Sequence, residues 1–160
     1  MTFKSCKIAL FKEYLAGAQL CSIGCLRDTA NQDEIDNFLR IETNKGVINF
    51  YVLGTNPITN NDEDYLKYDH FNLFSLYDDL AILDKIVLRG ENISDFEVCF
   101  ETDGGELVGI GFSAANASYR TVFAHDEILL TIDSSTSLID NVAEHLQHLP
   151  LSRLEVISVA

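Results

Sequence analysis

The sequence predicts an α+β fold, in which a single, mostly antiparallel sheet of about five to seven strands has helices packed on one face. Runs that alternate apolar and polar residues dominate residues 96–132, and this period of two is typical of strands. Few segments have helical spacing, which favours a sheet with helices added to it. With 160 residues, two prolines and no linker-like tract, residues 1–160 are predicted to form a single domain.

The first half of the chain predicts one short helix and one hairpin. In "DTANQDEIDNFLRI", Asn31 is a candidate helix cap, and Ile35, Phe38 and Leu39 follow at helical spacing. The next segment, "LRIETNKGVINFYVLG", has β-rich runs on both sides of a turn at residues 44–46, where glycine can adopt the positive φ of a tight turn. Residues 54–64, "GTNPITNNDED", predict a loop that leads into a helix.

The second half predicts a meander of strands, then a helix and a last strand. "DFEVCFETDGGELVGIGF" predicts a hairpin with Phe96, Val98 and Phe100 on its inner face, and "YRTVFA" and "EILLTID" predict two further strands. "DSSTSLIDNVAEHLQHLP" has cap-forming residues before an amphipathic stripe, and so predicts a helix that ends by Pro150. The final strand, "SRLEVISVA", follows a helix, which allows it to pair in parallel within the sheet.

The net charge excludes two classes of partner. The chain has 25 acidic and 11 basic residues and a formal charge of −14. A charge of this sign repels phosphate backbones and anionic lipid headgroups. We therefore expect no nucleic acid and no membrane surface among its partners, and a basic protein is the partner that the charge favours.

The cysteines predict a reducing cytoplasm and no metal or redox site. Cys21 and Cys25 are four residues apart, which is not the C-x-x-C of redox or zinc motifs, and Cys6 and Cys99 are distant from them. The segment "SIGC" matches a lipoprotein box only at Gly24 and Cys25, and lysines interrupt the apolar run before it. We expect these thiols to pack in the core as small apolar groups.

No motif supplies a catalytic or cofactor-binding set. Gly109, Gly111 and Ala114 form a G-x-G-x-x-A pattern, but the sequence after it lacks the long helix of a dinucleotide fold, so a bent or close-packed strand is predicted. His145 and His148 are three residues apart without further metal ligands. We expect no catalytic residues, no cofactor and no metal.

The segment that does stand out is acidic and rich in aromatic residues. Residues 60–106 contain thirteen acids and three bases, a charge of −10 out of the total of −14. Within this segment aromatic residues recur every third position from residue 65 to residue 77, interleaved with carboxylates. A helix with its rings in the core would explain the spacing, but tyrosines, which have an apolar body and a polar tip, are also common in binding interfaces.

These features predict a small acidic protein of the cytoplasm that inhibits a basic protein partner, most plausibly a bacterial immunity protein that neutralises a nuclease toxin. The predicted partner-binding residues are the acids and tyrosines of this segment: Asp62, Glu63, Asp64, Tyr65, Tyr68, Asp69, Tyr77, Asp78 and Asp79.

Two alternatives belong to other functional classes. The chain could be a small-molecule-binding protein or enzyme whose sheet curves around a pocket, with His70 or His125 and a neighbouring aspartate as an acid/base pair. It could also be an oligomeric structural or adaptor protein that pairs through exposed strand edges. The sequence leaves the oligomeric state open.

Overall fold

The fold is mostly β, with two antiparallel sheets in place of the predicted single one. The computed structural model describes residues 3–52, 66–69, 80–102, 105–124, 127–132 and 136–159. Over these residues each of the two sheets has five strands. The predicted α+β class is therefore wrong. The reason is that the apolar alternation continues through the first half of the chain, where helical spacing was inferred from too few residues.

The described helices and strands follow one another along the chain in this order. Helix α1 (Phe3–Tyr14) precedes β1 (Gln19–Asp28), β2 (Glu34–Thr43), β3 (Gly46–Val52), β4 (Leu66–Asp69) and β5 (Leu80–Asn92). The second sheet is built from β6 (Ser94–Glu101), β7 (Leu107–Ala114), β8 (Ala117–Phe123) and β9 (Ile128–Ile132). Helix α2 (Leu138–His145) and a 3₁₀ turn (Leu151–Arg153) lead to β10 (Leu154–Ser158), which completes the second sheet. The strand order is β4-β3-β2-β1-β5 in the first sheet and β10-β6-β7-β8-β9 in the second.

The inner faces of the two sheets share one aromatic core. Phe50 of β3 lies against Phe123 of β8, with ring centroids 5.3 Å apart, so the contact joins the two sheets. From α1, Phe11 lies 6.0 Å from Phe50 and 6.2 Å from Phe96 of β6, and it is fully buried. Burial of such rings is the main stabilising contribution to a sandwich of this kind.

The second hairpin of the first sheet holds the end of α1. Thr43 Oγ1 donates to the carbonyl oxygen of Tyr14 over 2.9 Å, and Lys45 Nζ donates to that of Ala16 over 2.7 Å. These bonds satisfy carbonyls that a helix end leaves without partners. The predicted hairpin at residues 44–46 is confirmed, with Thr43 paired to Gly46 and a φ of 136° at this glycine.

Helix α2 covers the outer face of the second sheet. Its N-cap is Ser137, whose side chain accepts from the backbone N–H of Asp140, and Val142 packs on the sheet with no exposed surface. The helix is confirmed, although it ends at His145. Because α2 lies over the face opposite the aromatic core, Cys99 and Glu101 on that face are buried as well.

Gly109 explains how the helix approaches the strand so closely. A Cβ at this position would lie 2.7 Å from Val142 Cγ2 and 3.0 Å from the carbonyl oxygen of Thr121. The glycine is therefore needed for close packing of helix on strand. The expected close-packed strand at Gly109 and Gly111 is confirmed.

Three local predictions are corrected. The predicted helix around Ile35 and Phe38 is strand β2, which pairs with β1 and β3. The final strand pairs antiparallel with β6, not in parallel. Residues 66–69, within the predicted aromatic helix, form strand β4. The expectation that the thiols pack in the core is confirmed for Cys25 and Cys99, which are buried, whereas Cys21 is half-buried.

The hairpin and the two further strands predicted in the second half are confirmed. β6 pairs with β7, β7 with β8 and β8 with β9, all antiparallel. The predicted turn residues Asp103, Gly104, His125 and Asp126 lie outside the described residues. No helix in the described part of the chain is long and apolar enough to span a membrane.

Candidate functional site

An apolar cleft of about 340 Å³ lies where the first sheet meets strand β9 of the second. Its lining comes from four strands: Ile23, Gly24 and Cys25 of β1; Glu34, Ile35, Asp36, Phe38 and Leu39 of β2; Lys85 and Ile86 of β5; and Ile128, Leu130 and Ile132 of β9. The volume is at the small end of the range of about 300–1,000 Å³ that is usual for binding pockets.

Strand β1 is irregular where it forms the floor of the cleft. Its pairing with β2 shifts register between Gly24 and Leu26, and its pairing with β5 shifts register between Ile23 and Gly24. Such bulges bend a strand and increase its twist. Glycine at the irregular position adds no side chain to the floor.

The floor and the mouth of the cleft differ in exposure. Ile23, Cys25 and Leu39 are buried at its base. At its mouth Ile35, Ile86, Ile128 and Leu130 are half-buried, and Ile132 is 46% exposed. The cleft therefore offers aliphatic surface that remains in contact with water.

Carboxylates and one ammonium line the rim. Lys85 Nζ on β5 donates to Glu34 Oε2 on β2 over 2.6 Å, across the intervening strand β1. The hydrogen bond that Lys85 donates to Glu34 raises the pKa of Lys85, so this group stays charged. Both side chains are nearly half exposed, at 44% and 48%, so the pair itself stabilises the fold by at most about 1 kcal/mol.

Asp36 is the second rim carboxylate. It is exposed, and within the described part of the chain its side chain makes no hydrogen bond or ion pair. With Lys85 committed to Glu34, this leaves one carboxylate at the rim that is available for an incoming cation.

The thiol in the cleft is not an activated nucleophile. Burial, followed by the charge of Glu34, raises the pKa of Cys25, which keeps the thiol protonated at neutral pH. Burial raises the pKa of Cys99, under α2, to about 12. Across the described residues no group of three or more His, Cys, Asp or Glu side chains is placed to hold a metal ion.

Most of the residues that the sequence singled out lie outside the described part of the chain. These are Asp62, Glu63, Asp64, Tyr65, Tyr77, Asp78 and Asp79, together with His70 and His125 of the alternative enzyme hypothesis. Tyr68 and Asp69 lie on β4, where their backbone positions pair with Phe50 and Asn49 of β3. The two histidines of the C-terminal region, His145 and His148, are exposed.

Sequence reasoning missed Glu34, Asp36 and Lys85. The signal was the alternation of acid and aliphatic residues in "EID", which is a strand pattern; these residues were instead interpreted as the start of a short helix. The apolar wall on β9 also follows a period of two, with Ile128, Leu130 and Ile132 on one side.

The fold and the cleft are thus the basis for any functional conclusion, because no protein-family model, curated protein or solved structure matches this chain.

Proposed function

We propose that this protein is a small acidic binding protein of the cytoplasm that inhibits a basic protein partner, in the manner of an immunity protein that neutralises a nuclease toxin. The observation that carries the proposal is the imbalance of exposed charge. Among the residues whose burial is described, nine acidic side chains are exposed and three basic ones are, namely Lys12, Lys45 and Lys85.

Two of these three bases already have partners. Lys45 Nζ donates to the carbonyl oxygen of Ala16, and Lys85 Nζ donates to Glu34. An acidic surface with so few available cations attracts a basic protein over long range and speeds its association. The same surface disfavours nucleic acid, because it repels phosphates.

A nuclease is the basic partner that this charge fits best. Nucleases bind phosphate backbones with clusters of Lys and Arg, and a surface rich in carboxylates presents the same sign of charge to such a cluster. The predicted contact residues remain those of the acidic, tyrosine-rich segment, of which Asp62, Glu63, Asp64, Asp78 and Asp79 are the central acids. The free state of Cys21, Cys25 and Cys99 supports a reducing compartment.

The cleft favours a second candidate, a small-molecule-binding protein, because it is apolar and lies between two sheets. In the described part of the chain no histidine lines it, so the acid/base pair of the enzyme hypothesis has no support there. The oligomeric adaptor stays a prediction, which light scattering coupled to size-exclusion chromatography checks directly.

The test is a capture followed by an inhibition assay. The immobilised protein is incubated with lysate of its source organism at low salt and eluted with rising salt, and the eluted protein is identified by mass spectrometry. We expect a basic protein whose affinity falls steeply with salt and whose nuclease activity the purified chain inhibits.

Charge reversal then separates the predicted site from the general surface. Changing Asp62, Glu63, Asp64, Asp78 and Asp79 to lysine is expected to abolish inhibition, since the loss of one partner in a desolvated charge pair costs about 2–5 kcal/mol. Reversing two exposed acids elsewhere, Glu13 and Glu144, is the control. Equal effects of the two sets, with circular dichroism unchanged, would remove the segment as the binding site.

A further inference from the structure

We infer that the cleft between the two sheets receives an aliphatic side chain of the basic partner, and that Asp36 pairs with a lysine or arginine next to that side chain. This inference rests on the proposed function and specifies where on the molecule the partner inserts its apolar anchor. It adds a contact on strands β2, β5 and β9 to the acidic segment predicted from the sequence.

Insertion of an aliphatic side chain is inferred from the apolar side chains that remain exposed at the mouth of the cleft. Five aliphatic side chains from three strands converge at its mouth, four of them half-buried and Ile132 exposed to 46%. Scattered exposed aliphatics are ordinary, but a convergent group above a buried floor gains free energy when another apolar group displaces its water. A volume of about 340 Å³ accommodates one or two side chains rather than a helix.

Pairing of Asp36 with a basic residue is inferred from the charged side chains at and beside the mouth of the cleft. Asp28, Asp33, Glu34 and Asp36 occupy the β1–β2 connection and the adjoining strand ends, against Arg27 and Lys85. Lys85 is bound to Glu34, so an incoming cation meets Asp36 without displacing an existing partner. An anionic group at the mouth would meet a net charge of −1 from the lining residues Glu34, Asp36 and Lys85, and be repelled.

The combination fits a protein segment better than a free apolar molecule. Interfaces concentrate binding energy in a central anchor that fills a pocket, with polar pairs around it that exclude water. The cleft supplies the pocket, Asp36 supplies the polar rim, and the exposed acids elsewhere supply the attraction for a basic surface.

The first experiment uses three capped tripeptides as probes, with backbone amide shifts of the labelled full-length protein as the readout. Acetyl-Lys-Leu-Lys-amide carries both features, acetyl-Lys-Gly-Lys-amide lacks the apolar group, and acetyl-Glu-Leu-Glu-amide reverses the charge. We expect saturable shifts at Cys25, Ile35, Ile86 and Leu130 with the first peptide, and at least fivefold weaker binding of the other two. Equal affinities for all three peptides, or chemical-shift changes only at residues outside these strands, would overturn the inference.

The second experiment uses a matched pair of variants. Ile132→Lys places an ammonium at the cleft mouth, where it repels the incoming cation and competes for Asp36. Leu151→Lys makes the same change at an aliphatic residue of similar exposure, 53% against 46%, that does not line the cleft. We expect Ile132→Lys to lower the affinity for the Lys-Leu-Lys peptide and for the captured partner by at least tenfold. Leu151→Lys should leave both affinities unchanged, and the two variants should have equal unfolding midpoints.

Failure of this inference and failure of the proposed function give different results. A captured basic partner that binds the Ile132→Lys variant as tightly as the unchanged chain overturns the cleft as the docking site and leaves the inhibitor intact. Recovery of no basic partner from the lysate overturns the inhibitor, and with it the assignment of the cleft to a partner's side chain.

Discussion

Gly109 lies where Val142 of helix α2 packs directly on strand β7. The nearest atoms to a Cβ built there include the carbonyl oxygen of Thr121, at 3.0 Å, which belongs to the backbone and cannot rotate away. At Gly111, two residues along the same strand, the nearest atoms belong to the flexible side chain of Arg120, at 3.1 Å. The two glycines therefore differ in the tolerance of their surroundings rather than in their strand conformation.

We predict that Gly109→Ala destabilises the fold by about 1–3 kcal/mol, the cost typical of an overpacked core. Gly111→Ala is expected to change the free energy of unfolding by less than about 1 kcal/mol, since Arg120 can move and alanine restricts the unfolded chain. Urea unfolding of both variants measures the difference. Equal destabilisation would mean that close packing of α2 does not depend on Gly109.

The buried thiol of Cys99 makes the stability of the protein fall at alkaline pH. Burial raises the pKa of this thiol from 9.0 to about 12, so above pH 9 the unfolded chain loses a proton that the native protein keeps. The native state then binds more protons than the unfolded state, and stability falls as pH rises from about 9 to about 12.

We predict that the wild-type protein loses about 1.5 kcal/mol more than Cys99→Ala between pH 9.0 and pH 10.5, because one pKa unit corresponds to about 1.4 kcal/mol. Alanine lowers stability by a constant amount through the lost sulfur, which does not affect this slope. Chemical unfolding under reducing conditions at several pH values gives the comparison. Parallel pH profiles for the two proteins would show that the thiol ionises at its ordinary pKa.

The β7–β8 hairpin has two left-handed residues in its turn. Ala115 and Asn116 have φ values of 52° and 64°, and Ala114 pairs with Ala117 on either side of them. This two-residue turn matches the right-handed twist of the strands, and asparagine or glycine is the usual residue at both positions. Alanine has no side-chain group to stabilise the left-handed conformation, which costs an ordinary residue about 1–2 kcal/mol.

We predict that Ala115→Asn stabilises the protein by about 0.5 kcal/mol, since asparagine tolerates this conformation better. Ala30→Asn is the control, because Ala30 is exposed in the β1–β2 turn without a positive φ. Thermal and urea unfolding should show a gain for Ala115→Asn alone. A loss of stability at position 115 would indicate that the exposed alanine makes a contact that asparagine disrupts.

The elements that the sequence predicted well are those in which local chemistry and burial agree. The hairpin turned at Gly46 and the helix capped by Ser137 both have a turn or cap residue where the backbone needs it. The first half of strand β2 was mistaken for a helix because Ile35, Phe38 and Leu39 also satisfy helical spacing, and pairing with β1 on one side and β3 on the other overrides that local pattern. The β7–β8 turn gave only one signal, Asn116, since Ala115 beside it is not a turn former.

The cleft could not be predicted from the sequence either, because it depends on which strands pair and on how the two sheets pack. Its lining comes from four strands that span residues 19–132, and Lys85 meets Glu34 because β2 and β5 both flank β1 in the sheet. A single sequence indicates which residues alternate, but not which sheet a strand joins. A second sheet changes the molecule from a layer covered by helices to two packed sheets, with the cleft between β9 and the first sheet.

The charge of the whole molecule also acts on its own stability. A formal charge of −14 and the excess of exposed acids mean that folding brings like charges closer than they are in the extended chain. At 0.1 M salt the Debye length is about 10 Å, so added salt screens repulsion across the surface while it leaves the aromatic core unaffected.

We predict that sodium chloride stabilises this protein: Tm should rise by about 2–4 °C between 10 mM and 200 mM salt, corresponding to about 1 kcal/mol for a chain of this size. The control is a triple variant, Glu13→Lys, Glu91→Lys and Glu144→Lys, which changes exposed residues on α1, β5 and α2 and takes the formal charge from −14 to −8. This variant should be more stable than the wild type at low salt and should respond less to salt, because less repulsion remains to be screened.

If the two proteins respond equally, the salt effect does not come from surface repulsion, and the exposed acids would have to be compensated locally by cations. That result would also weaken the case for long-range attraction of a basic partner, because the same field is responsible for both.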